Sequence, residues 1–121
     1  MSNEITMSAS LTINATNLVE AFQPESLQID LASDAGSGGV QTIGTTQEAL
    51  NIGDTTDGGV FFFRNTDATN YVEIGRYESS TFYAFLKLLP GEYAIGRQAD
   101  KDIYAKANTA DVNLQYRMLS P

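Results

Sequence analysis

Hydrophobic and polar residues alternate along much of this chain, which is the pattern of β-strands with one buried face and one solvent-facing side. The clearest example covers residues 5–13, where polar residues separate the apolar positions Ile5, Met7, Ala9, Leu11 and Ile13. A shorter alternation covers residues 27–31, and another covers residues 111–118 near the other end. These patterns predict that the first and last strands both belong to the sheets of the fold.

Aromatic residues are concentrated in residues 58–97, which contain five of the six Phe and four of the six Tyr residues. Strands are predicted at residues 60–64, 71–76, 81–88 and 93–97. A turn-forming cluster follows the first of these strands, and Pro90-Gly91 supplies the dihedral angles of a type II turn before the last. We expect a meander of consecutive hairpins here, with the other strands laid against it.

Four segments carry weaker patterns. Residues 15–24 predict a loop with one helical turn, and the Gly-rich residues 33–39 indicate a flexible turn or exposed loop. Residues 47–52 fit a strand and a single helical turn about equally well. Residues 103–105 predict a short, edge-like strand.

The overall pattern is about eight to ten short strands, with turn signals every ~8 to 12 residues. Such spacing is typical of an all-β, antiparallel β-sandwich of jelly-roll type, and a single closed barrel is the lesser alternative. A chain of 121 residues fits one domain, so one sandwich over residues 1–121 is expected. The predicted core consists of Ile5, Leu11, Ile13, Leu27, Ile29, Phe62, Val72, Ile74, Leu86, Leu88, Ile95, Val112, Leu114 and Tyr116.

Composition removes several kinds of chemistry. The chain has no His and no Cys, so Ser-His pairs, thiolates and imidazole ligands for zinc are excluded. Glu73 and Glu78 are candidates for a glycosidase acid-base pair, but sequence does not set their separation, and solvated strand carboxylates are the simpler interpretation. Residues 54–59 resemble the start of a calcium loop but lack its later acidic positions. We therefore expect no enzymatic activity, no metal and no cofactor.

The net charge of −8 is unevenly distributed, because all seven Lys and Arg residues follow position 60. This distribution gives no clustered cations for phosphate binding in the first half and argues against nucleic acid as a partner. The apolar runs are far shorter than the about 20 residues that cross a bilayer. The N-terminus also lacks the pattern of a signal peptide, so we expect no membrane partner and no export by that route.

Three consecutive Phe residues at positions 61–63 must point to alternate faces of their strand. Either the strand is buried on both sides, or its outward Phe side chains form a patch that binds a partner. With Phe62 in the core, the second alternative makes Phe61 and Phe63 interface residues. Tyr71 and Tyr83 complete this candidate protein interface.

Several segments resemble small structural proteins of tailed bacteriophages, namely GGVQTIGTTQEALNIGD, GGVFFFRNTDATNYVEIG, FLKLLPGE and IYAKANTADVNLQYRML. The resemblance covers residues 39–119 and is strongest in RNTDATNYVEIG, LKLLPGE and YAKANTA. It implies a non-enzymatic virion protein, most simply a capsid decoration or cement protein that binds the major capsid protein and other virion subunits. Such a protein would be a homo-oligomer, with a trimer as one option, located on the capsid surface and in the host cytoplasm during assembly.

The resemblance leaves other assignments open. A tail, fibre or head-tail adaptor protein is the first alternative. A carbohydrate-binding module is the second, and the absence of Trp disfavours it.

Overall fold

The structure is a computed structural model that describes residues 4–31, 36–55 and 57–120. All regular secondary structure in these residues is β-strand, and they contain no helix that could cross a membrane. The strands are β1 (Ile5–Met7), β2 (Leu11–Ala15), β3 (Leu18–Phe22), β4 (Leu27–Ile29), β5 (Gly36–Ile43), β6 (Glu48–Ala49), β7 (Val60–Asn65), β8 (Val72–Glu78), β9 (Thr81–Leu88), β10 (Tyr93–Arg97), β11 (Tyr104–Ala107) and β12 (Val112–Leu119).

The chain divides into two compact units, one over residues 1–33 and one over residues 34–120. In the first, which we call the N-terminal unit, β2 pairs with β3 across a turn at residues 16 and 17, and β1 pairs with β4. Both pairs are antiparallel, so the described residues of this unit form two successive two-stranded ribbons. The alternation at residues 5–13 predicts a strand of the main sheets. That prediction is wrong, because neither ribbon joins the larger sheets.

The larger unit consists of two four-stranded antiparallel sheets. Sheet I has the order β10-β7-β12-β5, and sheet II has the order β6-β11-β8-β9. The strands pair in a nested order: β5 with β12, β6 with β11, β7 with β10 and β8 with β9. Successive pairs alternate between sheet I and sheet II, as they do when one long hairpin is rolled up. This is the jelly-roll arrangement, so the predicted all-β sandwich is confirmed, and its two sheets lie within residues 36–119.

The core lies between sheets I and II. Strand β12 shows how it forms, because Val112, Leu114, Tyr116 and Met118 are buried while the residues between them are exposed. Six predicted core residues are buried: Val72, Ile74, Leu88, Val112, Leu114 and Tyr116. The core cluster also includes seven that were not predicted, which are Ile43, Leu50, Phe63, Ile103, Ala105, Ala107 and Met118.

The predicted core residues of the N-terminal unit are wrong or only partly right. Leu11 is 59% exposed and Leu27 is 54% exposed. The other three, Ile5, Ile13 and Ile29, are half-buried. The predicted long strand is also broken at residues 8–10. A two-stranded ribbon has no second layer to cover its apolar side, so alternation alone does not produce a buried face.

Three further predicted core residues are half-buried. Phe62 and Ile95 are cross-strand neighbours in sheet I, on the face opposite the core residue Phe63. Their assignment to the core is therefore wrong. Leu86 packs against the edge of the core cluster.

The predicted meander at residues 58–97 is also wrong, although its strands are present. β7 and β10 lie in sheet I, whereas β8 and β9 lie in sheet II, so two of the three connections cross between sheets. The Pro90-Gly91 turn forms as expected, with φ of 84° at Gly91 and a 2.9 Å bond from the Glu92 nitrogen to the Leu89 oxygen. The true hairpin joins β8 to β9 through Ser79 and Ser80, whose φ values are 52° and 65°.

The weaker patterns resolve as strands. The predicted helical turn near residue 18 is β3, the ambiguous residues 47–52 include β6, and β11 is a central strand of sheet II. The Gly-rich segment enters β5 at Gly36, and residues 32–35 lie outside the described part. A Cβ on Gly38 would lie 2.8 Å from the Tyr116 main-chain oxygen, so glycine there permits close pairing with β12.

Candidate interaction surfaces

The N-terminal unit exposes large apolar side chains along most of its described length. Every residue of β3 is exposed, and Val19 is the most exposed of its large apolar residues, at 71%. The large side chains that are about half exposed or more are Leu11, Leu18, Val19, Phe22 and Leu27. Leu11, Leu18 and Phe22 share one face of the β2–β3 ribbon, whereas Val19 lies on the other face, because Leu11 pairs with Phe22 and Asn14 pairs with Val19. Adjoining apolar side chains that are exposed on one face mark a site of protein association.

The N-terminal unit is also acidic. Residues 4–31 contain Glu4, Glu20, Glu25 and Asp30 and no Lys or Arg. The Glu4 carboxylate accepts a hydrogen bond of 3.1 Å from the Leu31 main-chain nitrogen, which ties the two ends of this unit together. An apolar surface with a negative charge fits a partner surface that is apolar and basic.

Sheet I presents a second surface on the face opposite the core. One row of cross-strand neighbours on this face is Tyr93, Arg64, Gln115 and Val40. Tyr93 is 65% exposed and Val40 is 64% exposed. This outer face is thus a mixed apolar and polar sheet surface rather than a uniformly polar one.

Three arginines lie on the outer face of sheet I. Arg64 and Arg117 alternate with buried residues of β7 and β12, and Arg97 ends β10. Arg97 donates to the Gly58 main-chain oxygen at 2.7 Å. Within the described ranges the ion pairs are Arg76 with Glu78 and Lys101 with Asp102, so these three arginines make none there.

The prediction that Phe61 and Phe63 on β7 form an outward-facing interface is wrong. Phe63 is 1% exposed and lies in the core, and Phe61 stacks on it with ring centroids 4.7 Å apart. Phe62 faces outward instead. Inward-facing residues of β12 lie opposite Phe63 and Phe61, and the sequence contains no signal for that register.

The two predicted tyrosines are both accessible but lie in different environments. Tyr83 on β9 is 51% exposed, with the Arg76 guanidinium carbon 5.7 Å from its ring centroid. Tyr71 precedes β8 and is half-buried, with Lys87 Nζ 4.2 Å from its ring centroid. Both rings therefore carry a cation over one face. Tyr83 is the more accessible of the two, because Tyr71 is half-buried.

Several exposed apolar residues were not expected as surface features. Phe85 is 64% exposed because β9 has a bulge opposite Ile74 and Gly75 that leaves Phe85 without a paired residue. Val19 and Phe22 were assigned to a helical turn, since the spacing of residues 18, 19 and 22 fits one helix face as well as a strand. The composition of β3 gives no clear signal for a strand, because Val19 and Phe22 favour strands whereas Leu18, Glu20 and Ala21 are good helix formers.

The candidate chemical sites of the sequence do not assemble. Glu73 and Glu78 are five residues apart on β8, so their side chains point to opposite faces, and Glu78 pairs with Arg76 at 3.0 Å. The Asp57 carboxylate accepts a hydrogen bond from the Lys101 main-chain nitrogen at 2.7 Å, and the Asp54 carboxylate accepts one from the Gly36 main-chain nitrogen at 2.9 Å. These aspartates hold loop backbone in place.

Comparisons of the chain with protein-family models, with curated proteins and with solved structures found no match.

Proposed function

We propose that this protein is a bacteriophage virion structural protein, a capsid decoration or cement protein that binds the outside of the major capsid protein shell. The observation that carries the proposal is the N-terminal unit, which exposes five large apolar side chains in the described residues 4–31 and has no cation there. Exposing apolar side chains to water is unfavourable, so the free energy falls when a partner covers such a surface.

The motifs that resemble phage structural proteins support the same proposal. They fall in the larger unit, where RNTDATN covers the end of β7 and most of its connection to β8, and LLPGE covers the end of β9 and its connection to β10. The jelly roll itself is used by viral capsid proteins but also by lectins and other proteins, so the fold alone does not decide the function.

A decoration protein acts through many equivalent contacts. An interface of about 800 Å² on each partner is enough for specific attachment at one site. On a shell with repeated sites, association between neighbouring copies of this chain raises the effective concentration and hence the avidity. The protein thereby adds contact area that must be broken before capsid subunits separate under the pressure of packaged DNA.

The test uses capsids assembled without this protein, to which purified protein is added back. Leu11→Asp places a charge on the ribbon face that Leu11 shares with Phe22 and should reduce the number of bound copies at least about tenfold, since an ion at a desolvated contact costs several kcal/mol. Val40→Asp is the matched control, because Val40 is similarly exposed but lies on sheet I. Capsids with bound wild-type protein should release their DNA at a higher temperature than bare capsids.

The outcomes separate the alternatives. Binding that is unchanged in the N-terminal variant but lost in Val40→Asp would move the contact from the N-terminal unit to the outer face of sheet I. If labelled protein is found in a few copies at the tail, and bare capsids survive heating as well as decorated ones, the protein is a tail or head-tail adaptor component and the decoration proposal is wrong.

A further inference from the structure

The outer face of sheet I has a charge opposite to that of the chain as a whole. The four strands of this sheet contain three arginines and no Asp, Glu or Lys, although the chain has a net charge of −8. The arginines are Arg64, Arg97 and Arg117, and all three are exposed. The proposed capsid contact lies on the N-terminal unit and does not use this face.

The three arginines lie around one aromatic side chain, Phe62. Arg117 is its cross-strand neighbour on β12, and Arg64 lies two positions along β7 on the same face. Arg97 on β10 is a diagonal neighbour of Phe62. Phe62 and its other cross-strand neighbour, Ile95, are both half-buried. A partly exposed apolar centre is therefore bordered by three positive charges.

Carboxylates of the described chain do not neutralise these arginines. In the described ranges none of the three makes an ion pair. The acids next to the strands, Glu92 and Asp111, precede β10 and β12 and lie outside them. The Glu92 carboxylate accepts a hydrogen bond of 2.8 Å from the Leu89 main-chain nitrogen. The positive charge of this face is thus available to a partner.

A hollow of about 150 Å³ adjoins Phe62 on the same face. Positions 38 and 39 of β5 are both glycine, so this part of the edge strand has no side chains. The Arg117 side chain lies over Gly38, where a Cβ would be 2.6 Å from its Nε atom. The volume of the hollow suits a single apolar side chain. Its lining consists of Gly39, Val40, Phe62, Gln115, Tyr116 and Arg117.

The composition of this face is typical of protein interfaces, in which Arg, Tyr and Phe are enriched and Lys, Asp and Glu are depleted. Tyr93, which is 65% exposed, is the cross-strand neighbour of Arg64. Three cations on a chain of net charge −8 are few for binding nucleic acid, which depends on neutralising several phosphates. Nucleic acid would also leave the apolar residues Val40 and Ile95 without apolar contacts. The face therefore fits a protein partner better.

We propose that the outer face of sheet I binds an acidic segment of a partner protein, in which carboxylates flank one apolar side chain. The apolar side chain enters the hollow beside Phe62. The carboxylates pair with the arginines around it, and such charge-assisted hydrogen bonds to Arg are strong and directional. This contact is separate from the proposed capsid contact, and its test needs no capsid, so either can fail without the other.

The probe is the blocked peptide Gly-Glu-Glu-Phe-Glu-Glu-Gly, titrated into the whole ¹⁵N-labelled protein at an ionic strength of about 0.15 M. Charges more than about 8 Å away are largely screened there, so the nearby arginines outweigh the distant acids of the chain. The peptide should bind with a Kd in the millimolar range and shift the main-chain amide signals of Phe62, Arg64 and Arg117.

Two matched peptides separate the apolar and the charged contributions. Replacing Phe with Ala removes the side chain that fills the hollow, and binding should weaken at least about fivefold. Replacing every Glu with Gln removes the charges and keeps the Phe, and binding should weaken at least about threefold.

Two double variants of the protein locate the contact. Arg64→Gln with Arg117→Gln removes two charges from the face and should weaken binding of the Phe peptide about fivefold. Arg76→Gln with Lys101→Gln is the matched control, because it lowers the net charge by the same amount at two ion pairs outside sheet I. The control should bind the peptide as the wild type does.

The outcomes decide between kinds of partner. A short single-stranded oligothymidylate that binds this face more tightly than the Phe peptide would assign it to nucleic acid and overturn the proposal. Equal binding of the Phe and Ala peptides would also overturn it, as would equal binding by the two double variants. Absence of measurable binding by the Phe peptide would overturn it as well.

Discussion

The side-chain amide nitrogen of Asn65 donates a 2.9 Å hydrogen bond to the main-chain oxygen of Leu88, 23 positions further along the chain. Asn65 ends β7 in sheet I and Leu88 ends β9 in sheet II, so one buried side chain joins the two sheets at a corner of the sandwich. The same amide nitrogen donates to the Asn70 oxygen at 2.9 Å, and the Asn65 amide oxygen accepts from the Asp67 nitrogen at 2.8 Å. Both halves of the amide are therefore satisfied.

Replacing Asn65 with Leu should destabilise the larger unit strongly. The new side chain is of similar size, but it leaves the buried Leu88 oxygen, the part-buried Asn70 oxygen and the part-buried Asp67 nitrogen without this partner. At about 1 to 3 kcal/mol for each buried group left unpaired, the free energy of unfolding should fall by at least about 2 kcal/mol. Urea unfolding followed by circular dichroism measures it. The control Gln115→Leu, at an exposed position of β12, should change stability by less than about 0.5 kcal/mol.

The Asp67 carboxylate should make this corner sensitive to acid. Hydrogen bonds from the main-chain nitrogens of Asn70 and Thr69 hold the pKa of Asp67 below its ordinary value of 3.8. A lowered pKa in the folded state means that the charged form adds stability above the ordinary value, and that this stability is lost as the pH falls through the folded pKa. Asp67→Ala should therefore lower the melting temperature at pH 7, and the difference from wild type should shrink in acid.

A companion variant separates the charge of Asp67 from its geometry. Asp67→Asn keeps one acceptor oxygen near the same nitrogens, so it should be destabilised less than Asp67→Ala at pH 7. If the gap between wild type and Asp67→Ala stays constant from pH 7 down to strongly acidic buffer, the carboxylate does not stabilise the loop in the expected way.

The hairpin between β8 and β9 should be easy to stabilise. Ser79 and Ser80 both have positive φ, a conformation that costs a non-glycine residue about 1 to 2 kcal/mol. Asn-Gly is the preferred pair for two such residues in a two-residue hairpin loop. The double change Ser79→Asn with Ser80→Gly should raise the free energy of unfolding by about 1 kcal/mol, measured as a higher urea midpoint.

The reverse change at the next turn provides its control. Gly91 has φ of 84°, and a Cβ there meets no atom within 4 Å, so Gly91→Ala introduces backbone strain without a clash. It should lower stability by about 1 kcal/mol. A Ser79→Asn and Ser80→Gly variant that is no more stable than wild type would show that the serines are held by contacts worth as much as their strain.

Truncation of the core should show where the sandwich is packed. Leu114 is fully buried in β12, so Leu114→Ala should reduce the free energy of unfolding by about 2 to 5 kcal/mol through lost burial and the cavity left behind. Val40→Ala on the outer face of the same sheet, at a side chain that is 64% exposed, should cost far less. Comparable losses for the two variants would contradict the assignment of the inner face of sheet I.

The sequence by itself determined the class of fold and the position of most strands in the larger unit. Strand β12 is the clearest case, since its alternation of apolar and polar residues matches its alternation of buried and exposed ones. The Gly91 turn was predictable for the same kind of reason, because only local dihedral preferences decide it. Local pattern is sufficient wherever one residue and its near neighbours set the outcome.

Which strands pair, and which face of a strand is buried, was decided by tertiary structure. Turn residues at 65–70 predict that the chain changes direction. A hairpin and a crossover between sheets both require such a turn, so this signal does not show that β7 and β8 lie in different sheets. The same holds for Phe61 to Phe63, where both faces are apolar and only pairing with β12 places Phe63 inside. In the N-terminal unit the alternation of Leu11 and Ile13 resembled that of a core strand, yet burial requires a second layer, and a two-stranded ribbon does not supply one.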